Sequence, residues 1–334
     1  MAKFYYGGQA VMEGVMMRGR LSVAVATRTP DGAIALYEEA LNPRLYQNPI
    51  VRLPLLRGVL LLWEMLVLGT RLMALSANVA TGALDLDAVT PTPAGDGTQA
   101  LPEVYGKLAV RTHDERPPVL GGFALGLTLL TSLACAIAVF FVVPLLLTNA
   151  LRNEIGNDWL NVVVEGGIRL ALLIVYLYLI GRIPDIGRVF GYHGAEHQAI
   201  NTLESGQPLD VAHVRQASRV HTRCGTGFLL LVMVVSIFIF ALVNSPWLPL
   251  KILSRILLIP VVAGIAYELM RLGAAYYRFR VVRWLLAPGL ALQGLTTRAP
   301  DDSMIECAIA ALTRVTRRDA GDAVATEGLE APSR

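Results

Sequence analysis

The 334-residue sequence predicts a mainly α-helical, polytopic membrane protein with about four transmembrane helices and a small N-terminal β element. Three observations predict it. Hydrophobic residues make up 54% of the chain and charged residues only 16%, with a mean hydropathy of +0.52. A soluble domain carries about 25% charged residues to cover its surface. The apolar residues gather in runs long enough to cross a hydrocarbon core of ~30 Å, and arginines gather in the segments between those runs. This composition excludes a disordered or fibrous chain and argues against a freely soluble enzyme. Of the 29 basic residues only Lys3, Lys107 and Lys251 are lysines, and a net charge of +3 is no polyanion-binding signature, so no nucleic-acid partner is expected. Cys135, Cys224 and Cys307 are too few and too scattered for a disulfide framework.

Residues 1–52 read as a Gly-rich loop followed by a β-hairpin. They lack the apolar core and cleavage site of a secretory signal. The stretch GGQAVMEGVMMRG has four glycines that let backbone approach closely, and isolated polar groups on Gln9, Glu13 and Arg18. No G-K-[ST] ends it, so it is not a phosphate-binding loop. Within 21–41, SVAVATRT and AIALYEEA flank Pro30-Asp31-Gly32, where Pro presets φ and Gly accepts φ > 0. Residues 53–83 are apolar enough to span, but Arg57, Glu64 and Arg71 interrupt them and a crossing would break the even topology. The segment is expected to lie at the interface or to re-enter. Residues 84–118 read as a mobile linker rich in Thr, Pro and Gly.

Four spans follow, at 119–150, 160–181, 227–245 and 250–271. Pro144 is the one sharp irregularity in the first. Glu165 and Arg169 lie four apart in the second, on one helix face, as a structural pair near enough to the helix end for both to snorkel. Residues 272–318 are expected to be helical, with a break at Pro288-Gly289 and an amphipathic helix over 301–318 capped by Ser303 with Glu306 at N3. Residues 319–334 read as a frayed tail. The loop 182–226 holds Arg182, Arg188, Arg215, Arg219 and Arg223, the segment after the last span Arg271, Arg278, Arg280 and Arg283. The two remaining short loops hold Arg152 and Lys251. This asymmetry puts the loop and both termini in the cytoplasm.

The chemistry concentrates in that loop. His193-Gly194-Ala195-Glu196-His197 has the H-x-x-E-H pattern, which on a helix puts two imidazoles one turn apart on one face, able to share a divalent metal, with Glu196 beside them to act on water. His221-Thr222-Arg223-Cys224 adds H-x-x-C spacing at the mouth of the third span. Glu268, at the end of the fourth, is a carboxylate of the kind brought in from another helix. The topology sends all of them to one membrane face.

Together the motifs GGQAVMEGVMMRG, YHGAEHQAIN, HTRCGTGF, Tyr267-Glu268 and PGLALQGLTTRAPDD resemble the bacterial YqhQ-like family, known as domain of unknown function 1385. The resemblance runs from about Gly7 to Leu312, with 85–118 unmatched. It implies a protein of the bacterial plasma membrane carrying the label of a predicted metal-dependent enzyme. It also implies metal-site positions at His193, Glu196, His197, His221, Cys224 and Glu268, and N-terminal polar positions at Gln9, Glu13 and Arg18. The chain departs from the family pattern at Gln198-Ala199, Thr222, Gly227 and Ala299, none of them a proposed ligand.

The expected function is a zinc-dependent hydrolase at the cytoplasmic face. His193, His197 and either His221 or Glu268 would bind a divalent metal, Glu196 would serve as base, and Arg18 or Arg223 would hold an anionic group. Two other readings stand beside it: a scaffold whose structural metal is closed by three histidines and Cys224, and, more weakly, a transporter, since the spans show no midplane ionisable residues. The lipid bilayer is the expected partner, the substrate is open, and so is a homo-oligomer. Reporter fusions check the orientation. Alkaline phosphatase is expected to be active when fused within 150–158 and silent after residue 334, and the reverse pattern overturns the assignment.

Overall fold

A computed structural model describes residues 6–41, 53–83, 88–89, 122–243 and 247–320. The predicted linker at 84–118 lies outside the described residues except for 88–89, and so does the tail beyond 320.

The N-terminal β element is larger than a hairpin. Strands β1 (Gly7–Val11), β2 (Gly14–Arg18), β3 (Ser22–Arg28), β4 (Ile34–Ala40) and β5 (Ala88–Val89) form an antiparallel meander in chain order. The predicted hairpin is β3–β4, with Ser22 opposite Ala40, Arg28 opposite Ile34 and Gly32 at φ +88 in the turn. The stretch read as a Gly-rich loop is a second hairpin, β1–β2, whose turn holds Glu13 at φ +49. Glycine lacks the side chains that make a strand visible in sequence, and Gly14 is required because a Cβ there would stand 2.2 Å from the Ala26 carbonyl oxygen.

Both sheet faces are buried. Val11, Met16, Val23, Val25 and Tyr37 pack against helix α1 (Leu56–Ala80) through Leu68, Leu72, Leu75 and Val79. Ala10, Val15, Met17, Ala24 and Leu36 pack on the other side against helices α6 (Pro184–Glu204) and α11 (Asp302–Ala320). This explains why SVAVAT is apolar without a strict alternation. Three polar ties fix α11 to the sheet. Arg28 reaches Glu306 at 2.8 Å, Arg314 Nε donates to Glu38 Oε2 at 2.5 Å, and the Asp319 carboxylate accepts from the Arg20 and Leu21 amides. The cap of α11 is Asp301, whose Oδ1 accepts the Met304 amide at 3.0 Å; Ser303, expected in that role, donates to Asp301.

Five helices are long and apolar enough to cross a membrane: Leu56–Ala80, Gly126–Ala150, Trp159–Ile180, Gly225–Leu242 and Leu248–Ala275. The segment expected at the interface is among them. Its second half covers the sheet, while its first half reaches the apolar bundle, where Gly58 lies against the Tyr267 ring. Each ionisable interruption in α1 is paired: Arg57 with Glu268, Glu64 with Arg18 at 3.6 Å, and Arg71 with Glu39.

The first predicted span begins as α2 (Gly122–Ile137), widens into a π-helical segment (Ala138–Val142) and continues as α3 (Val143–Ala150). After the short α4 (Arg152–Ile155) come α5 (Asp158–Ile180), the site-bearing α6, α7 (Val211–Gln216), α8 (Gly225–Leu242), α9 (Leu248–Ala275) and α10 (Arg280–Leu292). The last runs through Pro288, where a break was expected. Large apolar side chains such as Leu127, Leu130, Phe238, Leu242 and Leu257 are exposed along the candidate spans, as helices solvated by lipid present them.

Inside the bundle Glu165 and Arg169 do pair, at 2.6 Å, but they are buried rather than snorkelling, with residue exposures of 3% and 1%. Arg255 of α9, passed over in the sequence, joins them with 0% exposure and a 3.3 Å contact to Glu165. Its Nη1 also donates to the Phe240 and Val243 carbonyls at the end of α8, where the helix dipole favours a cation. Arg169 Nε donates to the Phe140 carbonyl at 2.8 Å. Pro144 has no N–H to give that oxygen, so the guanidinium replaces the missing helix donor. Replacing Glu165 by Gln leaves two buried guanidiniums without their anion and is expected to destabilise the protein by about 3–5 kcal/mol. Asp302→Asn, which breaks the exposed bridge to Arg215, is expected to cost under about 1 kcal/mol. Thermal unfolding in detergent compares the two, and equal effects would refute the role given to Glu165.

Candidate metal centre

The helix carrying H-x-x-E-H starts with Pro184 in its first turn, where a missing N–H costs nothing. Tyr192, Ala195, Ala199 and Ile200 turn toward the sheet and α11. His193 and His197, one turn apart, have ring centroids separated by 4.4 Å. Cys224 is the N-cap of α8 and its Sγ accepts the Thr226 amide at 3.4 Å. His193 Nε2 lies 3.4 Å from Cys224 Sγ, and one donor atom from each of His193, His197 and Cys224 falls within 4.8 Å of the others.

Backbone carbonyls fix both imidazoles. His193 Nδ1 faces the Thr296 carbonyl at 2.9 Å, and His197 Nδ1 the Arg219 carbonyl at 2.5 Å. A carbonyl only accepts, so each Nδ1 donates to it and Nε2 is the ring nitrogen turned toward the group, the arrangement that orients a metal-ligating histidine. Glu196 is buried, its Oε2 at 3.9 Å from His193 Nε2 and 3.7 Å from His197 Nε2.

The other predicted positions divide. The His221 ring stands 5.6 Å from that of His197, but its Nε2 accepts from Arg223 at 3.2 Å and lies 3.9 Å from Glu204. Arg223 itself pairs with Glu204. Burial alone would raise the Glu204 carboxyl, but the neighbouring His221 and Arg223 outweigh it and hold it below the ordinary carboxylate range. Glu268 does not join the group: both its oxygens go to Arg57. Gln9 packs on Gly69 of α1, and Arg18 faces Glu64 there. Glu13 takes Arg188 at 2.5 Å and the Tyr192 hydroxyl at 3.3 Å, and the bonds from Arg188 hold its carboxyl below the usual range against the effect of burial. These three N-terminal groups dock the sheet onto α1 and α6. Gly8 brings β1 close to the site, since a Cβ there would meet Glu196 Cγ at 2.8 Å. The buried Cys307 belongs to α11, and burial pushes its thiol up to about 12, unsuited to a reactive role.

The family model described as "Protein of unknown function (DUF1385)" matches residues 53–318. The chain belongs to this family. It is similar to "Uncharacterized protein YqhQ" of Bacillus subtilis (strain 168), with 33% identity over 321 residues that cover 94% of this chain and 93% of that one. No solved structure matches the chain. The DUF1385 match takes in all three donors, Glu196 and the segment around Thr296, while β1 to β4 precede it.

Several positioning residues of this DUF1385 chain went unread in the sequence. Gln198 donates to the Arg215 and Ala217 carbonyls and Asn201 to those of Ser218 and Val220, so α6 zips down the segment that offers Arg219 to His197. The Gln293 amide clamps His221 from both sides, accepting its N–H at 3.0 Å and donating to its carbonyl at 2.8 Å. Their signal was present in the quoted YHGAEHQAIN and PGLALQGLTTRAPDD, as amides inside otherwise apolar or small-residue helix. A Cβ at Gly194 would stand 2.2 Å from the Arg298 carbonyl oxygen. Gly194→Ala therefore displaces the backbone that holds His193 and is expected to lower stability by about 1–3 kcal/mol. Gly167→Ala, with nothing within 4 Å, is expected to be neutral or mildly stabilising. Denaturation of the two variants decides the point, and a neutral Gly194→Ala would refute the close approach.

Proposed function

We propose that the protein is a metal-dependent hydrolase embedded in the bacterial plasma membrane, with Zn²⁺ as the favoured metal and its site at the cytoplasmic face. The observation that carries this reading is the group of three donors, His193, His197 and Cys224, with a buried carboxylate against both imidazoles. Two imidazoles and a thiolate are a donor set that Zn²⁺ takes, and three protein ligands leave a coordination position for chemistry. The carbonyls engage both Nδ1 atoms, which leaves Nε2 of each ring as the nitrogen that would meet a metal. The residues present fit the ion.

A bound Zn²⁺ supplies Lewis acidity, polarising a carbonyl or phosphoryl oxygen and easing the loss of a proton from water. Glu196 takes that proton as the water attacks and returns it to the leaving group. The helix and the carbonyl bonds hold these groups without rearrangement, which keeps the reacting atoms oriented. The cytoplasmic assignment of the site and of both termini follows from the arginine asymmetry.

A scaffold with a structural metal needs a fourth donor. His221 is the nearest candidate by ring distance, yet its Nε2 accepts from Arg223, which supports the open set of three. Metal analysis of the purified protein separates the readings. His197→Ala and Cys224→Ser are expected to lose bound metal and thermal stability together, because binding energy is coupled to the folded state. Glu196→Gln is expected to keep both while losing rescue of a deletion strain. Full rescue by Glu196→Gln would leave only the scaffold, and a metal-free wild-type protein would overturn both.

A further inference from the structure

Helix α10 carries a surface that neither the bundle nor the metal centre uses. It begins four residues after α9 ends, at the end of the bundle where α8 starts and Cys224 sits. Its inward side packs closely: Leu286 lies against Gly273 of α9 and Gly289 against Gly227 of α8. Val281, Trp284 and Leu285 fall on a different face and are 69%, 76% and 63% exposed. With Pro288 they follow i, i+3, i+4, i+7, a continuous apolar stripe along one side of a helix. At 13 residues the helix is ~20 Å long, too short to cross a bilayer.

Charge identifies what covers the stripe. Between Glu268 and Asp301 the sequence contains Arg271, Arg278, Arg280, Arg283 and Arg298 and no acidic residue. Arg280 and Arg283 stand three apart on α10 beside the apolar face, and both are exposed. An exposed tryptophan, aliphatic neighbours and flanking arginines are the composition of a helix lying in the membrane–water interface. A second copy meeting this face across a twofold axis would bring its own Arg280 and Arg283 against these, which disfavours self-association.

We propose that α10 is an in-plane helix that docks on acidic phospholipids in the leaflet around the metal-centre end of the bundle. Trp284, Val281 and Leu285 enter the acyl boundary, and Arg280 and Arg283 engage the headgroup phosphates. The assignment does not rest on the hydrolase reading, and its test uses no turnover.

The measurement is lipid quenching of Trp284. With Trp63, Trp159 and Trp247 replaced by Phe, the full chain is placed in nanodiscs containing brominated phosphatidylcholine or brominated phosphatidylglycerol at equal mole fraction. Trp284 emission is expected to be quenched by both and more strongly by the anionic lipid. Arg280→Gln and Arg283→Gln are each expected to lower that preference roughly fivefold. Quenching by aqueous iodide and not by bromolipid would overturn the proposal, as would equal quenching by the two lipids. Silence toward both quenchers would overturn it in favour of a covering protein. If the triple replacement does not fold, the wild-type chain in detergent serves instead. Its Tm is expected to rise more with added phosphatidylglycerol than with phosphatidylcholine, and the double Arg variant to lose the difference. An equal rise would overturn the proposal.

Discussion

Helix α6 approaches the chain at 298–304 along Gly187, Gly191 and Gly194, and at Gly194, which meets backbone, the approach leaves no room for a side chain. A Cβ at these positions would stand 2.6 Å from Arg298 Nη1, 2.6 Å from Met304 Sδ and 2.2 Å from the Arg298 carbonyl oxygen. Three glycines cost a helix roughly 1 kcal/mol each relative to alanine, and the return is proximity. The Arg298 amide reaches the Phe190 carbonyl at 2.9 Å, Thr296 comes within hydrogen-bond distance of His193, and α11 drops onto the sheet beside α6. The imidazoles are therefore positioned by backbone, which cannot rotate away as a side chain can. A donor set built this way is as rigid as the helix packing behind it.

The buried charges of the bundle follow a similar logic of replacement. Pro144 removes one helix hydrogen bond and α8 ends with free carbonyls; arginines from α5 and α9 supply donors to both places and share Glu165 between them. Phe240 lies within 5.2 Å of the Arg169 guanidinium and 4.3 Å of that of Arg255, so its ring face adds to the compensation. Satisfied in this way, the cluster links α2–α3, α5, α8 and α9 with directional bonds. Packing between apolar helices in lipid lacks a hydrophobic driving force of its own.

How much of this could be read in advance depended on where each residue's partner lies. The β3–β4 hairpin was legible because its turn chemistry is local. His193, Glu196 and His197 were legible because helical spacing alone brings them together, and Cys224 because it follows His221 at the mouth of a span. Glu268 was misread as a companion of that group, since its partner Arg57 is 211 residues away and nothing in the sequence links them. Arg255 was hidden by the apolar residues around it. Gln198, Asn201 and Gln293 stand out as amides in apolar or small-residue helix, but they bond to carbonyls, which every residue has, so their partners could not be read. The glycines of β1 and β2 were noticed, but their reason, close contact with other strands and with Glu196, exists only in the folded state.

The order of the elements has a consequence for synthesis. The sheet is complete on one face once α1 has emerged, but its other face waits for α6 and then for α11, the last described helix. Thr296 and Gln293 arrive almost as late. A ribosome that has made the first 290 residues has delivered every metal-ligand candidate and the Arg219 carbonyl that aims His197, but not the Thr296 carbonyl that aims His193. Until residues 293–320 appear, the sheet's second apolar face has only α6 to cover it beside an apolar helix bundle, a surface that invites premature contacts. The last orienting bond of the candidate site, from His193 to the Thr296 carbonyl, is thus added near the end of translation.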